Sequence, residues 1–282
     1  MLYVCATPIG NLDDVTARVL TALRTVDLIA AEDTRRTRKL LARYDIHTAT
    51  TSLFAHNEAE KTAYLLELLR AGREVALVTD AGLPGISDPG LRLVAAAAAE
   101  GLALTVLPGP SAPVTAVAAA GLDAERGFRF VGYLPRRESD LRTAWEGWRR
   151  CGGLVVAFET GPRLARGLAA LATLAPDAPT AVCRELTKVH EEVTRGTLAA
   201  LAARFTTDVK GEITLVIDAG APDDGSPAAG ERALAAAALL DAGLSRRDAA
   251  AALVACLGLR RNEAKRLVEE TAPRHPRDGA ID

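Results

Sequence analysis

Short apolar runs alternate with longer amphipathic stretches over the first 120 residues. Five of these runs predict strands, at residues 2–6, 28–31, 49–54, 74–78 and 103–107. Apolar residues at helical spacing predict helices between them, around Val15–Leu23 and at 34–44, 58–71 and 91–101. Strands that alternate with helices are typical of a parallel sheet covered on both faces. We therefore expect an α/β domain over residues 1–120.

The alternation resumes after residues 121–135, which are interpreted as a crossing between domains. Four further strands are predicted at 153–158, 180–183, 192–195 and 212–217, and helices at 138–150, 163–174 and 197–205. This pattern indicates a second, more mixed α/β domain over residues 121–219. Residues 220–230 have the composition of a linker. Three helical stretches follow, at 231–242, 246–257 and 260–270, and predict an all-helical, helix-turn-helix-like module over 231–282.

Composition narrows the class of protein. The 282 residues are 49% apolar and 25% charged, with a net charge of −2, so no global field attracts nucleic acid. The Ala-rich runs are too short to span a bilayer. The four cysteines are far apart and lie in apolar segments, so we expect buried free thiols and a cytoplasmic, reducing location. Neither the cysteines nor the histidines have metal-ligand spacing, so no metal is expected.

Three Gly/Pro-rich turns follow predicted strands. They lie at residues 7–11, 80–90 and 108–112, and the second, Asp80–Gly90, holds three glycines, two prolines and two aspartates. Ligands of open α/β sheets bind at the carboxyl ends of the strands. If the strands are parallel, all three turns converge on one crevice, although a long Pro/Gly connector would also explain the second turn.

The chemistry of this crevice restricts its ligand. The chain has no GxxxxGK[ST] and no GxGxxG motif, and few basic residues flank the turns, so a polyphosphate or dinucleotide is disfavoured. Asp80, Asp88 and backbone groups suit a ligand with hydroxyls, an amino group or a positive charge. S-adenosylmethionine has all three.

Ordered motifs along the whole chain match a known family. They include Thr7–Asn11, Ala31–Arg35, Asp80–Gly90, Pro108–Ala112, Gly132–Pro135 and Arg184–Lys188. The chain resembles the class III, tetrapyrrole-methylase-like S-adenosylmethionine-dependent methyltransferases, and within them the ribosomal branch. The resemblance implies two α/β domains with the cofactor in the cleft between them. It also implies 2′-O-methylation of a decoding-centre cytidine in small-subunit (16S) rRNA, usually by a homodimer. Two residues depart from the family pattern: Leu83 stands for a threonine and Pro162 for a histidine.

The resemblance assigns cofactor and catalytic roles to particular residues. The expected cofactor-binding residues are Pro8, Asp80, Gly82, Asp88, Pro89, Gly109, Pro110, Ser111, Gly132, Tyr133 and Leu134. A base would help to remove the hydroxyl proton. The candidates are Asp33, Glu32, His56, Glu58 and Glu185, among which the sequence does not choose. Asp33 leads because it ends a strand beside a basic helix, but it could equally be the N-cap of that helix. Tyr133 could likewise be core packing.

Basic residues supply candidates for contact with RNA phosphates. They are Arg35, Arg36, Arg38 and Lys39 on one helix, Lys188, and Arg260, Arg261, Lys265 and Arg266 near the C-terminus. Each set could instead be a solvated surface, and Lys188 could pair with Glu191 or Glu192. Two other functions stay open from the residues: methylation of a tetrapyrrole or protein acceptor, and non-catalytic nucleic-acid binding that senses a small ligand.

Overall fold

The computed structural model describes residues 1–222, 229–257, 259 and 261–271. The chain forms two compact units, Met1–Ala221 and Pro222–Asp282. The strands are β1 Leu2–Cys5, β2 Leu28–Ala31, β3 Thr50–Ser52, β4 Val75–Val78, β5 Leu104–Leu107, β6 Phe128–Tyr133, β7 Leu154–Thr160, β8 Pro179–Arg184, β9 Glu192–Thr197 and β10 Glu212–Asp218. The helices of the first unit are α1 Ala17–Thr25, α2 Thr34–Arg43, α3 Glu58–Arg70, α4 Leu91–Ala99, α5 Ala112–Ala120, α6 Glu138–Cys151, α7 Gly161–Leu174 and α8 Leu198–Arg204.

The first sheet is parallel throughout, with strand order β3-β2-β4-β1-β5. Alternate strand residues face opposite sides, as the strand period requires. Cys5, Ile29 and Val78 pack with α1 and α2 on one face, whereas Leu2 and Leu77 pack with α3 and α4 on the other. The predicted parallel sheet with helices on both faces is confirmed.

The second sheet has the order β6-β7-β10-β8-β9 and is mixed. Only β6 and β7 run parallel in it, and the other neighbours are antiparallel. One face packs against α6, α7 and α8, where Leu141, Leu164 and Leu201 are buried. The more mixed character predicted for the second half is confirmed, and so is the predicted fold class.

One α-helix and one strand of the first unit were not predicted, and the strand lies within residues 121–135, which had been interpreted as a crossing between domains. Helix α5 has no charged residue, so its apolar positions give no helical period. It covers the second face of the second sheet, where Ala116 and Ala120 pack against Val156 and Val216. Strand β6 was missed because Gly132 interrupts its apolar run. The domain boundary expected at residue 120 falls at the end of α5, and that division stays a prediction.

The second unit contains α9 Ala229–Asp241, α10 Arg246–Leu257 and α11 Arg261–Thr271. Its core includes Ala236, Leu253 and Val268. Residues 223–228 of the expected linker, residues 272–282 of the expected module and the predicted RNA contact Arg260 lie outside the described residues.

Two cysteines contradict the expected burial. Cys5 and Cys183 are buried in the strands, but Cys151 at the end of α6 and Cys256 in α10 are exposed, because both lie on the solvent-facing sides of their helices. Among the described residues, no helix has the length and apolar character needed to cross a membrane. In the same residues, no group of His, Cys, Asp and Glu side chains is arranged to hold a metal ion.

Candidate active site

A cavity of about 320 Å³ opens where the carboxyl ends of the first sheet meet the second sheet. That volume suits a small-molecule cofactor. The first sheet contributes the segments that follow β1, β2, β4 and β5. The second sheet contributes the ends of β6, β7 and β8 and the start of β10, which is antiparallel to β7. The residues that line the cavity include Ile9, Glu32, Arg36, Asp80, Gly82, Leu83, Asp88, Ser111, Tyr133, Phe158, Glu159, Cys183, Leu186, Gly211, Glu212 and Ile213.

Backbone hydrogen bonds join the first two Gly/Pro-rich turns at this cavity, and the third turn lies beside them. Thr7 and Gly82 exchange two of them, with N–O distances of 2.8 and 3.0 Å. The Thr7 hydroxyl also donates to the Thr79 carbonyl at 2.9 Å. The third turn reaches the same place, because Ser111 lines the cavity and the Pro110 carbonyl lies beside Gly82. The turns therefore form one continuous wall.

Three carboxylates gather at one end of the cavity: Glu32, Asp80 and Asp88. The Asp80 N–H donates to Glu32 Oε2 at 3.2 Å, and Arg36 lies 3.3 Å from Asp80 Oδ2. Burial raises the pKa of Glu32 and of Asp80. Burial and the nearby charge of Glu32 raise the pKa of Asp88 to about 7. Since one arginine faces three carboxylates, this end of the cavity attracts a cation.

Asp33 caps the N-terminus of the adjacent helix α2. Its Oδ1 accepts the Arg35 N–H at 2.8 Å and its Oδ2 pairs with the Arg35 guanidinium at 2.9 Å, which makes it the N-cap of α2. These hydrogen bonds lower its pKa to about 2. A carboxylate with such a pKa is a weak proton acceptor near neutral pH.

Three other candidate bases stand outside the lining of this cavity. Glu58 accepts the N–H groups of Gly90 at 2.9 Å and Arg92 at 3.4 Å, so it caps the start of α4. His56 lies edge-on to Phe54, with ring centroids 6.4 Å apart. Glu185 accepts a hydrogen bond from the Lys188 ammonium at 2.8 Å, which lowers the pKa of Glu185. Of the five candidates, Glu32 is the one that lines the cavity.

A strained segment borders the cavity, which Leu186 lines. Glu185 and Thr187 have φ angles of 51° and 65°, which L-residues adopt at a cost. Lys188 holds the segment in place, since its Nζ lies 2.8 Å from both Glu185 Oε1 and Glu212 Oε2. Lys188 therefore pairs with Glu185 and Glu212, where Glu191 or Glu192 had been considered. Gly10 packs so closely here that a Cβ would lie 2.6 Å from Thr187 Oγ1 and from Lys188 Cγ.

The cavity contains only some of the expected cofactor residues. Asp80, Gly82, Asp88, Ser111 and Tyr133 line it. The remaining expected residues neighbour the lining residues along the chain: Pro8, Pro89, Gly109, Pro110, Gly132 and Leu134. Tyr133 is 54% exposed and its ring lies against Phe158, so it faces the cavity rather than the core.

Several lining residues had no predicted role. Phe158, Glu159 and Ile213 come from the second sheet, and Leu186 follows β8. The available signal was position, because Glu159 and Thr160 end a buried strand, as do the polar residues of the first sheet.

Apart from Lys188, which pairs with Glu185 and Glu212, the described RNA candidates lie on two helices. Arg35, Arg36, Arg38 and Lys39 project from the exposed face of α2, whose other face buries Leu40 and Leu41. Arg36 reaches the cavity itself. Arg261, Lys265 and Arg266 are exposed on α11 of the second unit. Helix α11 also carries Glu263, Glu269 and Glu270, which offset that charge.

Comparisons with known proteins agree on a family. The sequence model described as Tetrapyrrole (Corrin/Porphyrin) Methylases matches residues 1–202. A ribosomal RNA small subunit methyltransferase I from Halalkalibacterium halodurans is 44% identical over 219 residues, which are 77% of this chain and 75% of that protein. The protein of that name from Synechocystis sp. is 41% identical over 274 residues, covering 96% and 93%.

A solved structure has the same fold at much lower identity. The uroporphyrin-III C-methyl transferase from Thermus thermophilus complexed with S-adenyl homocysteine has a TM-score of 0.56 at 18% identity. The match covers 77% of this chain and 96% of that chain.

Proposed function

Because this chain belongs to the tetrapyrrole methylase family, we propose that it transfers a methyl group from S-adenosylmethionine to small-subunit ribosomal RNA. The acceptor we propose is a ribose 2′-hydroxyl of a decoding-centre cytidine. The observation that carries the proposal is the cavity with its three carboxylates, taken with relatives named as ribosomal RNA methyltransferases. A ribosomal substrate would place the enzyme in the cytoplasm, and the homodimer stays a prediction.

The residues of the cavity fit this cofactor. The group carries a sulfonium and an amino group, and Glu32, Asp80 and Asp88 supply the opposite charge. The cavity lining also has apolar residues, with Ile9, Leu83, Phe158 and Ile213 available to an adenine ring or a thioether chain. Leu83 contributes apolar surface where the family often has a hydroxyl.

When bound, the cofactor supplies a methyl group already activated for displacement, so alignment contributes much of the catalysis. The protein must still accept the proton of the ribose hydroxyl. We propose Glu32 for this role, because it lines the cavity and burial raises its pKa towards the working range. Asp33 would fix the start of α2, and the Asp80–Arg36 pair would hold Glu32 in place through the Asp80 N–H.

The exposed face of α2 supports a phosphate-rich acceptor. It presents Arg35, Arg38 and Lys39 to solvent directly beside the carboxylate end of the cavity. Cations on one helix face can neutralise successive phosphates of an RNA strand.

The test offers labelled S-adenosylmethionine with three acceptors: small ribosomal subunits that lack the modification, naked rRNA, and a tetrapyrrole precursor. We expect label in the ribosomal samples, and at least about 100-fold slower transfer by Glu32→Gln even at saturating cofactor. Label only in the tetrapyrrole would overturn the acceptor. Cofactor binding without transfer to any acceptor would favour the ligand-sensing alternative. Full activity of Glu32→Gln would remove Glu32 from the proposed role.

A further inference from the structure

Strand β6 contains a bulge immediately before Tyr133. Phe130 pairs with Val156 and Tyr133 pairs with Phe158, so β6 has an extra residue between these two pairs. A bulge interrupts the ladder and re-aims the side chain that follows it. Here the Tyr133 ring comes to rest on Phe158, with centroids 5.7 Å apart, at the cavity wall.

An arginine from the neighbouring helix fastens the chain just after this bulge. The Leu134 N–H donates to the Phe158 carbonyl at 3.1 Å, while the Leu134 carbonyl accepts a 2.7 Å hydrogen bond from Arg163. The same Arg163 nitrogen lies 3.2 Å from Glu159 Oε2. Glu159 lines the cavity and also accepts the Thr160 N–H at 2.7 Å. One guanidinium therefore connects two segments of the cavity wall.

The location of this pair is costly for stability. The Glu159 side chain is 1% exposed, and removing a charge from water is expensive even when it is paired. Arg163 lies in the first turn of α7, where the helix dipole disfavours a cation. Its Nε atom is buried and has no hydrogen-bond partner in the part of the chain that the structure describes. A role in fixing geometry explains these features better than a role in stabilising the fold.

We propose that Arg163, held by Glu159, is a positioning residue that fixes the Gly132–Leu134 segment, and with it the Tyr133 ring, against the bound cofactor. The inference rests on the proposed function only in the identity of that cofactor. Loss of the arginine should weaken cofactor binding while the enzyme at saturating cofactor still turns over.

The central variant is the pair Glu159→Gln with Arg163→Met, because it leaves no unpaired buried charge. We expect its dissociation constant for S-adenosylmethionine, measured by calorimetry, to rise about ten-fold or more, in line with the loss of a charge-assisted hydrogen bond. KM for the cofactor should rise by the same factor with kcat little changed, whereas a purely structural defect would lower kcat by reducing the folded fraction. Arg163→Lys, which retains a donor but cannot bridge both acceptors, should give an intermediate value.

A measurement without ligand completes the test. Hydrogen exchange at the Leu134 amide should accelerate in the double variant. The matched control is Arg150→Met, which removes an exposed arginine from the last turn of α6 and should leave exchange and affinity unchanged. Unaltered affinity and unaltered exchange in a folded double variant would overturn the proposal. Failure of the wild-type protein to bind S-adenosylmethionine would instead refute the proposed function, and the exchange result would still decide the role of Arg163.

Discussion

Replacing Asp88 by asparagine probes the carboxylate end of the cavity directly. The substitution keeps the shape of the side chain and removes its titration. The pKa of Asp88 is raised from 3.8 to about 7 by burial and by the charge of Glu32. Because the folded-state pKa is the higher one, the proton on Asp88 stabilises the fold. That contribution is complete below about pH 4, declines as the pH rises, and is lost above about pH 7.

The size of the effect follows from the two pKa values. Between about pH 5 and pH 8, linkage gives a loss of roughly 2.6 kcal/mol of unfolding free energy from Asp88 alone. Asp88 is partly exposed, so solvent screening reduces this figure, and we expect about 1 kcal/mol. Asp88→Asn should therefore gain about 1 kcal/mol relative to wild type on going from pH 5 to pH 8.

The assay is urea unfolding of both proteins at the two pH values. Asp208→Asn, at an exposed aspartate of the same unit, controls for general charge effects. Cofactor binding gives an independent readout: wild-type affinity should increase from pH 6 to pH 8 as Asp88 ionises, and the Asp88→Asn variant should lose part of that increase. A stability difference that does not change with pH, or that changes in the opposite direction, would refute the reasoning.

Three further predictions concern helix ends and the basic helix. Glu58→Ala should lower the free energy of unfolding by about 1 kcal/mol, because it removes the cap of α4, and should leave kcat unchanged; a large loss of kcat in a folded variant would reinstate Glu58 as a catalytic candidate. Gly161→Ala should lower the free energy of unfolding by about 2 kcal/mol or more, since the added Cβ would overlap the Val209 carbonyl oxygen, and thermal melting would reveal it. Arg38→Gln with Lys39→Gln should weaken rRNA binding and reduce its salt dependence by about two charges, and a salt titration that shows the wild-type slope would exclude both residues from the interface.

The local pattern of apolar and polar residues was sufficient to predict most of the strands and helices. The apolar runs and the helical spacing anticipated nearly all strands and helices of the first unit, because the helices bury one face and the buried strands are short apolar runs. Helix α5 escaped because a stretch of alanine, valine, threonine and proline has no polar face to mark its period. It packs against a sheet whose strands lie later in the sequence, so a short stretch of sequence cannot show its burial. Strand β6 was not predicted for a related reason, since its bulge at Gly132 breaks the alternation of side chains along the strand.

The residues of the candidate site also divide into those that the local sequence predicted and those whose place depends on the folded structure. Turns after parallel strands predicted Asp80, Gly82, Asp88 and Ser111 at one cavity, because topology alone brings such turns together. The role of Glu32 could not be separated from that of Asp33 in sequence. The two are neighbours, and only the backbone direction after β2 turns one into the cavity and the other onto the helix end.

The most direct test of the proposed ribose methylation is the chemical position of the methyl group that this protein transfers. Small ribosomal subunits methylated by this protein with labelled S-adenosylmethionine would be hydrolysed with alkali, which cannot cleave the RNA backbone after a 2′-O-methylated ribose. We expect label in one alkali-resistant dinucleotide that begins with cytidine. Label in a mononucleotide, which marks a methylated base, or in protein would contradict this expectation.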